Sequence, residues 1–148
     1  MRDLSAKEIE TVLTRNGIGV LALLDDGQPY PLPMSFGFDG ERPLFVMQFG
    51  AGPHSRKLEC LDDHPKAGFT VYEETVPGAA WRSVIITGEL REIPDDDTVD
   101  TYTAIAANAE FAADVAVWGV PLAETDLTLY ELTIEECTGR EFSMTTEE

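Results

Sequence analysis

The chain has 148 residues, 43% of them hydrophobic, and carries 28 Asp and Glu against 10 Lys and Arg, a formal net charge of −18. That length can bury a core without staples and defaults to one domain, residues 1–148. The charge excludes nucleic acid as a partner, because no basic stripe is present to neutralise phosphates; no apolar run is long enough for a membrane-spanning helix, and two Cys and two His show no metal-ligand spacing.

Self-repulsion at this charge opposes compaction, and molar salt, which screens charges to a length of about 3 Å, relieves it. The acids are spread along the chain and not confined to a tail. A salt-loving source is therefore the expectation. The N-terminal stretch Met1–Glu8 lacks the apolar core of a signal peptide, so a cytoplasmic protein is expected. In that setting Cys60 and Cys137 read as free thiols.

In chain order, Ser5–Asn16 reads as a helix. Ser5 and Glu8 form a capping box, and Ile9, Val12 and Leu13 make the apolar stripe. Ile18–Leu24 is a buried strand, and Asp25-Asp26-Gly27-Gln28 is a hairpin turn. Pro29–Phe38 is strand-like, with Pro29, Pro31 and Pro33 at alternate positions, as an edge or bulged strand requires. Asp39-Gly40 marks another turn, and Leu44–Phe49 a third strand. A helix over Ser55–Asp63 stops before Pro65. Ala67–Tyr72 is the fourth strand, Glu73–Ala80 a loop, and Trp81–Ile93 a fifth strand with Gly88 marking a bulge or a sharp bend. A helix is expected from Asp95 to about Val117, then β structure over Leu127–Ile134, continued as a bent strand over Gly139–Ser143. Strands joined by short turns pair antiparallel, and this order favours a small barrel with helices outside.

The most informative segment is Ser55-Arg56-Lys57, a hydroxyl and two cations at a helix start in a chain short of cations. Free N–H groups and the helix dipole favour an anion there, so the segment reads as a phosphate site. Taken alone, each residue also has a plainer reading. Lys57 pairs with a nearby carboxylate, Arg82 pairs with Glu89 or Glu92, and Ser83 is an ordinary strand serine. Met34, Phe36, Met47 and Phe49 are core residues, and Cys60 is structural. No Ser-His-Asp arrangement and no nucleophile elbow support hydrolysis.

Three segments together resemble the FMN-binding split-barrel family related to pyridoxamine 5′-phosphate oxidase, especially its small nitroimidazole-resistance-like members. They are Pro31–Gly40; Arg56-Lys57 followed by Leu61, Pro65, Phe69 and Val71; and Trp81–Val84 followed by Gly88 and Ile93. The resemblance implies a mainly β fold, a six-stranded antiparallel split barrel with flanking helices. It also implies a two-fold homodimer with FMN in a groove between subunits. Ser55, Arg56 and Lys57 would hold the phosphate, with Arg82 and Ser83 reaching in. Met34, Ser35 and Phe36, and Met47, Gln48 and Phe49, would flank the ring, with Trp118 of the partner covering it. Where nitroimidazole-resistance-like proteins end the third strand in histidine, this chain has Gly50, with His54 four residues later.

The function implied is a flavin-dependent oxidoreductase acting on a small molecule. No general acid or base stands out; Ser35 and Gln48 are the donors that would tune the ring. Two alternatives stay open: a reductase using a deazaflavin coenzyme, and a non-enzymatic flavin-binding protein.

Overall fold

The computed structural model describes residues 1–49, 55–94 and 127–144. In chain order these form β1 (Arg2–Asp3), α1 (Ala6–Arg15), β2 (Ile18–Asp25), β3 (Gln28–Ser35), β4 (Gly37–Phe38), β5 (Pro43–Phe49), α2 (Arg56–Asp63), β6 (Lys66–Val76), β7 (Ala80–Glu92) and β8 (Leu127–Ser143). The expected helix after Pro94, the Gly50–His54 hinge and Trp118 lie outside the described residues.

All strand pairs are antiparallel, in the order β3-β2-β6-β7-β8-β5-β4, with β1 paired to β8. Six strands are seven residues or longer; β1 and β4 are two-residue stubs. The sheet curls until its first strand, β3, comes back beside β5. This is the split barrel that the resemblance implied.

Local chemistry explains the elements. Ser5 caps α1 reciprocally with Glu8: Ser5 Oγ accepts from the Glu8 amide at 3.2 Å, and the Glu8 carboxylate accepts from the Ser5 amide at 2.9 Å. Asp26 (φ 51°) and Gly27 (φ 77°) both sit at positive φ, as a two-residue turn of this twist requires, and Asp25 pairs with Gln28. β3 is a sheet edge, which accommodates its three prolines.

Inward side chains of the sheet meet one stripe from each helix. Leu21, Leu23, Phe36, Phe45, Phe69, Val71, Val84, Ile86 and Leu132 pack with Val12 and Leu13 of α1 and with Leu58 and Leu61 of α2. Phe69 is central, edge-on to Phe36 (4.9 Å) and Phe45 (5.0 Å).

Two boundaries differ from expectation. Glu73–Val76 extends β6, because Glu73 and Glu74 pair with Arg82 and Trp81 of β7 and need no apolar alternation to do so. The two expected C-terminal pieces are one strand, β8, carrying a bulge between the rungs Thr87↔Glu136 and Gly88↔Ile134. Gly88 is required there: a Cβ would lie 1.8 Å from the Thr133 carbonyl oxygen.

Candidate functional site at the N-terminus of α2

Helix α2 begins where the chain turns out of an extended Ser55 (φ −66°, ψ 164°). Its buried residues Leu58 and Leu61 lock it onto β2 and β5. The Ser55 amide is satisfied by Gln48 Oε1 at 3.0 Å, from the end of β5. The Ser55 side chain makes no capping bond, and its Oγ is buried without a hydrogen-bond partner. An N-cap serine ordinarily satisfies a first-turn amide, so among the described residues both the hydroxyl and the first-turn N–H groups stay available for an incoming acceptor.

Lys57 is half-buried, and among the described residues no carboxylate pairs with it. Burial pushes its ammonium below the ordinary lysine range. Arg2, Arg15, Arg42, Arg56, Lys66, Arg82 and Arg140 are all ion-paired. In a chain of net charge −18, a partly desolvated lysine and a buried hydroxyl at one helix start, each without a partner among the described residues, are an arrangement an anion completes.

Arg56 is placed differently from its neighbours. Its Nε and Nη2 donate to Asp25 Oδ2 at 3.0 and 2.5 Å, and its guanidinium lies 4.2 Å over the Tyr30 ring. The ion pair raises its pKa. Arg82 is not brought to α2. It bonds Glu141 at 2.8 Å and Glu8 at 3.2 Å, and Arg2 closes the network on the same two carboxylates. The expected partners Glu89 and Glu92 are not the ones found; Glu141 faces Arg82 across β7 and β8, and Glu8 comes from the cap of α1. Arg2 and the Ser5 amide hold the Glu8 carboxyl down to about 2.

Among the expected ring contacts, Phe36 and Met47 are fully buried in the core, so their side chains take the plainer reading. Met34 is nearly as buried. Ser35 and Gln48 alternate with them and are only half-buried. The backbone of Phe49 ends β5 beside Gln48. Ser83 is half-buried on the sheet's outward face, paired with Tyr72 and Arg140.

That outward face is unusually apolar. Tyr72 (70% exposed), Ile85 (54%) and Trp81 (37%) share it, with Trp81 stacked on Phe142 at 4.7 Å. At its margin a groove of about 760 Å³ opens between the start of β2 (Ile18, Gly19, Val20), Pro33 and Tyr72–Thr75. Arg15 and Asn16 close one wall by hydrogen-bonding Glu73. Burial alone would raise the Glu73 pKa; those bonds outweigh it and lower it. The groove lies at the opposite end of β2 from Asp25 and α2. Cys60 and Cys137 are both free, their thiols pushed up by burial. Among the described residues no group of His, Cys, Asp and Glu is arranged to hold a metal, and no helix is long and apolar enough to cross a membrane.

Known proteins share the family and the fold of this chain. The family model described as pyridoxamine 5′-phosphate oxidase matches residues 5–141. An uncharacterised Rhizobium meliloti protein is 27% identical over 94 residues, 64% of this chain and 58% of its own length, so the chain spans less than two thirds of that relative. Among solved structures, a FAD-binding protein of Mesorhizobium loti superposes with a TM-score of 0.71 at 28% identity, covering 96% of both chains. A candidate 5-nitroimidazole antibiotic resistance protein of Bacteroides thetaiotaomicron gives a TM-score of 0.71 at 16% identity, over 95% of this chain and 87% of that one. A FAD-binding protein of Mycobacterium smegmatis gives 0.69 at 19% identity, over 97% and 100%. The last two show the fold alone.

Proposed function

The chain belongs to the pyridoxamine 5′-phosphate oxidase family, and from that premise we propose that it is an FMN-binding flavoprotein, an oxidoreductase acting on a small molecule. The observation that carries the reading is the pair of groups at the N-terminus of α2 without a partner among the described residues, Ser55 Oγ and the Lys57 ammonium. A flavin phosphate fits both: it accepts from the hydroxyl, from the ammonium and from the first-turn amides. The FAD-binding relative from Mesorhizobium loti supports a flavin at this fold.

In this reading Ser55 and Lys57 hold the phosphate, and Gln48 fixes the Ser55 backbone that presents it. Ser35 and Gln48, on the strands next to the site, supply polar contacts to the ring edge. Phe36 and Met47 back those strands from the core and keep them rigid. The flavin, when bound, would supply the hydride chemistry. The protein binds, orients and partly excludes water.

The same proposal includes a homodimer. The exposed apolar sheet face around Tyr72, Ile85 and Trp81 suits a two-fold partner, and such a face is costly to leave in water. Light scattering in molar salt should give the mass of a dimer; a monomer with full flavin occupancy would remove that part.

The test of the cofactor is the visible absorption spectrum of protein purified in molar salt. A yellow protein that releases FMN on denaturation is expected. A colourless protein that takes up a deazaflavin but not FMN would overturn the assignment. Bound FMN that no reduced nicotinamide or small-molecule donor reduces would leave a flavin-binding protein without the oxidoreductase step.

A further inference from the structure

We propose that Asp25 and Tyr30 form a latch on Arg56 that sets the position of Lys57, so that Arg56 is a positioning residue and not a phosphate ligand. The proposal rests on the phosphate-site reading above.

The latch is built from two distant parts of the chain. Asp25 is the last residue of β2, held by the tight Asp26-Gly27 turn, and Tyr30 follows on β3. Arg56 is the first residue of α2. Both Nε and Nη2 converge on Asp25 Oδ2, and Arg56 Cζ lies over the Tyr30 ring, 4.2 Å from its centroid. A guanidinium can bond and stack at once, which an ammonium cannot. Its position also needs such a partner, because a cation at the first turn opposes the helix dipole.

The geometry gives α2 two tethers at its first turn. Gln48 of β5 holds the Ser55 amide, and Asp25 with Tyr30 holds Arg56. Between them the rotation of the first turn is fixed, and with it the direction of Lys57, which no carboxylate among the described residues holds. Arg56, with its charge already matched, has little left to offer an anion.

Two roles for Arg56 give opposite signs in one experiment. If Arg56 were a phosphate ligand, Asp25→Asn would release it and tighten FMN binding. If it is a latch, Asp25→Asn lets the first turn rock and weakens FMN binding. Dissociation constants for FMN and riboflavin, which lacks the phosphate, are measured in molar salt, where loss of the Asp25 charge has little reach. The expected result is an FMN constant raised roughly two- to fivefold, as for loss of an exposed ion pair, with riboflavin unchanged. Tyr30→Leu should act in the same direction. In a Lys57→Ala background Asp25→Asn should have no further effect on the FMN-to-riboflavin ratio, because the latch works through Lys57. Tighter FMN binding, an unchanged ratio in Asp25→Asn alone, or an additive effect in the double variant would each overturn the latch. Lys57→Ala alone separates the two claims. If it leaves the ratio intact, the phosphate-site reading fails; if it raises the ratio of the FMN to the riboflavin dissociation constant while Asp25→Asn does not, only the latch fails.

Discussion

Ser55 carries an energetic cost that its position does not require. A buried hydroxyl without a partner costs about 1–3 kcal/mol, and the usual return, a capping bond to the first turn, is not made. Ser55→Ala should therefore leave the ligand-free protein as stable as the parent or slightly more stable in thermal melts, against the loss of about 1 kcal/mol usual when an N-cap serine is removed. The same variant should weaken FMN binding more than riboflavin binding. A destabilised ligand-free protein would mean the hydroxyl is satisfied after all. The sequence made Ser55, Arg56 and Lys57 legible as a group, since a hydroxyl and two cations at a helix start are a local pattern. It did not separate Arg56 from Lys57, because Arg56's partner Asp25 is 31 residues away and belongs to a different hairpin. The ion-pair partners of Arg82 were hidden for the same reason: Glu141 is 59 residues on, and only strand register brings it opposite.

Single residues also set the course of whole elements. Opposite the bulge in β8, a Cβ at Gly88 would meet backbone atoms of Thr133, which cannot swing aside as a side chain would. Gly88→Ala should cost about 3 kcal/mol or more by denaturant unfolding, at the upper end of overpacking effects. Gly68→Ala is the control, since its Cβ would find ordinary contacts at 3.8 Å or beyond. Equal stabilities for the two variants would contradict the bulge argument. Helix α1 is tied to β1 and β7 through Glu8, whose carboxyl is held at about 2 against an ordinary value of 4.5. As pH falls, the unfolded chain takes up this proton first. The stabilisation is thus complete above about pH 4.5 and is lost progressively toward pH 2. The lowered Glu141 and Glu73 carboxyls act in the same direction. Glu8→Gln should flatten the stability profile across that window, and an unchanged profile would contradict the network. Capping and turn chemistry are local, which is why α1 and the β2–β3 hairpin were readable from sequence. The polar end of β6 was not, because pairing with β7 and the Arg15 contact to Glu73 are what make it a strand.

Across the whole molecule, the chain order of apolar runs and turns was enough to suggest an antiparallel barrel, and the strand order joining β7 to β8 and β8 to β5 came only with the structure. The outward face was obscure in sequence, because Tyr72, Trp81 and Ile85 look like core residues until register puts Val71, Val84 and Ile86 inside instead. The net charge of −18 acts on all of this at once. We expect the melting temperature to rise from low to molar salt as repulsion among exposed carboxylates is screened. A flat or falling trend would remove the salt-loving reading.

The central claim is that α2 presents a phosphate site through Lys57, and it is tested most directly by comparing Lys57→Ala with Lys66→Ala. Each variant removes one positive charge, but Lys66 is exposed and paired with Glu135 at 2.9 Å, so only the global field changes there. A charge-assisted hydrogen bond is worth about 1.5–3 kcal/mol, or roughly ten- to a hundredfold in dissociation constant. Lys57→Ala should weaken FMN binding by that factor and leave riboflavin binding unchanged, while Lys66→Ala should leave both near the parent values. Equal weakening of FMN and riboflavin by Lys57→Ala, or no weakening of either, would contradict the account.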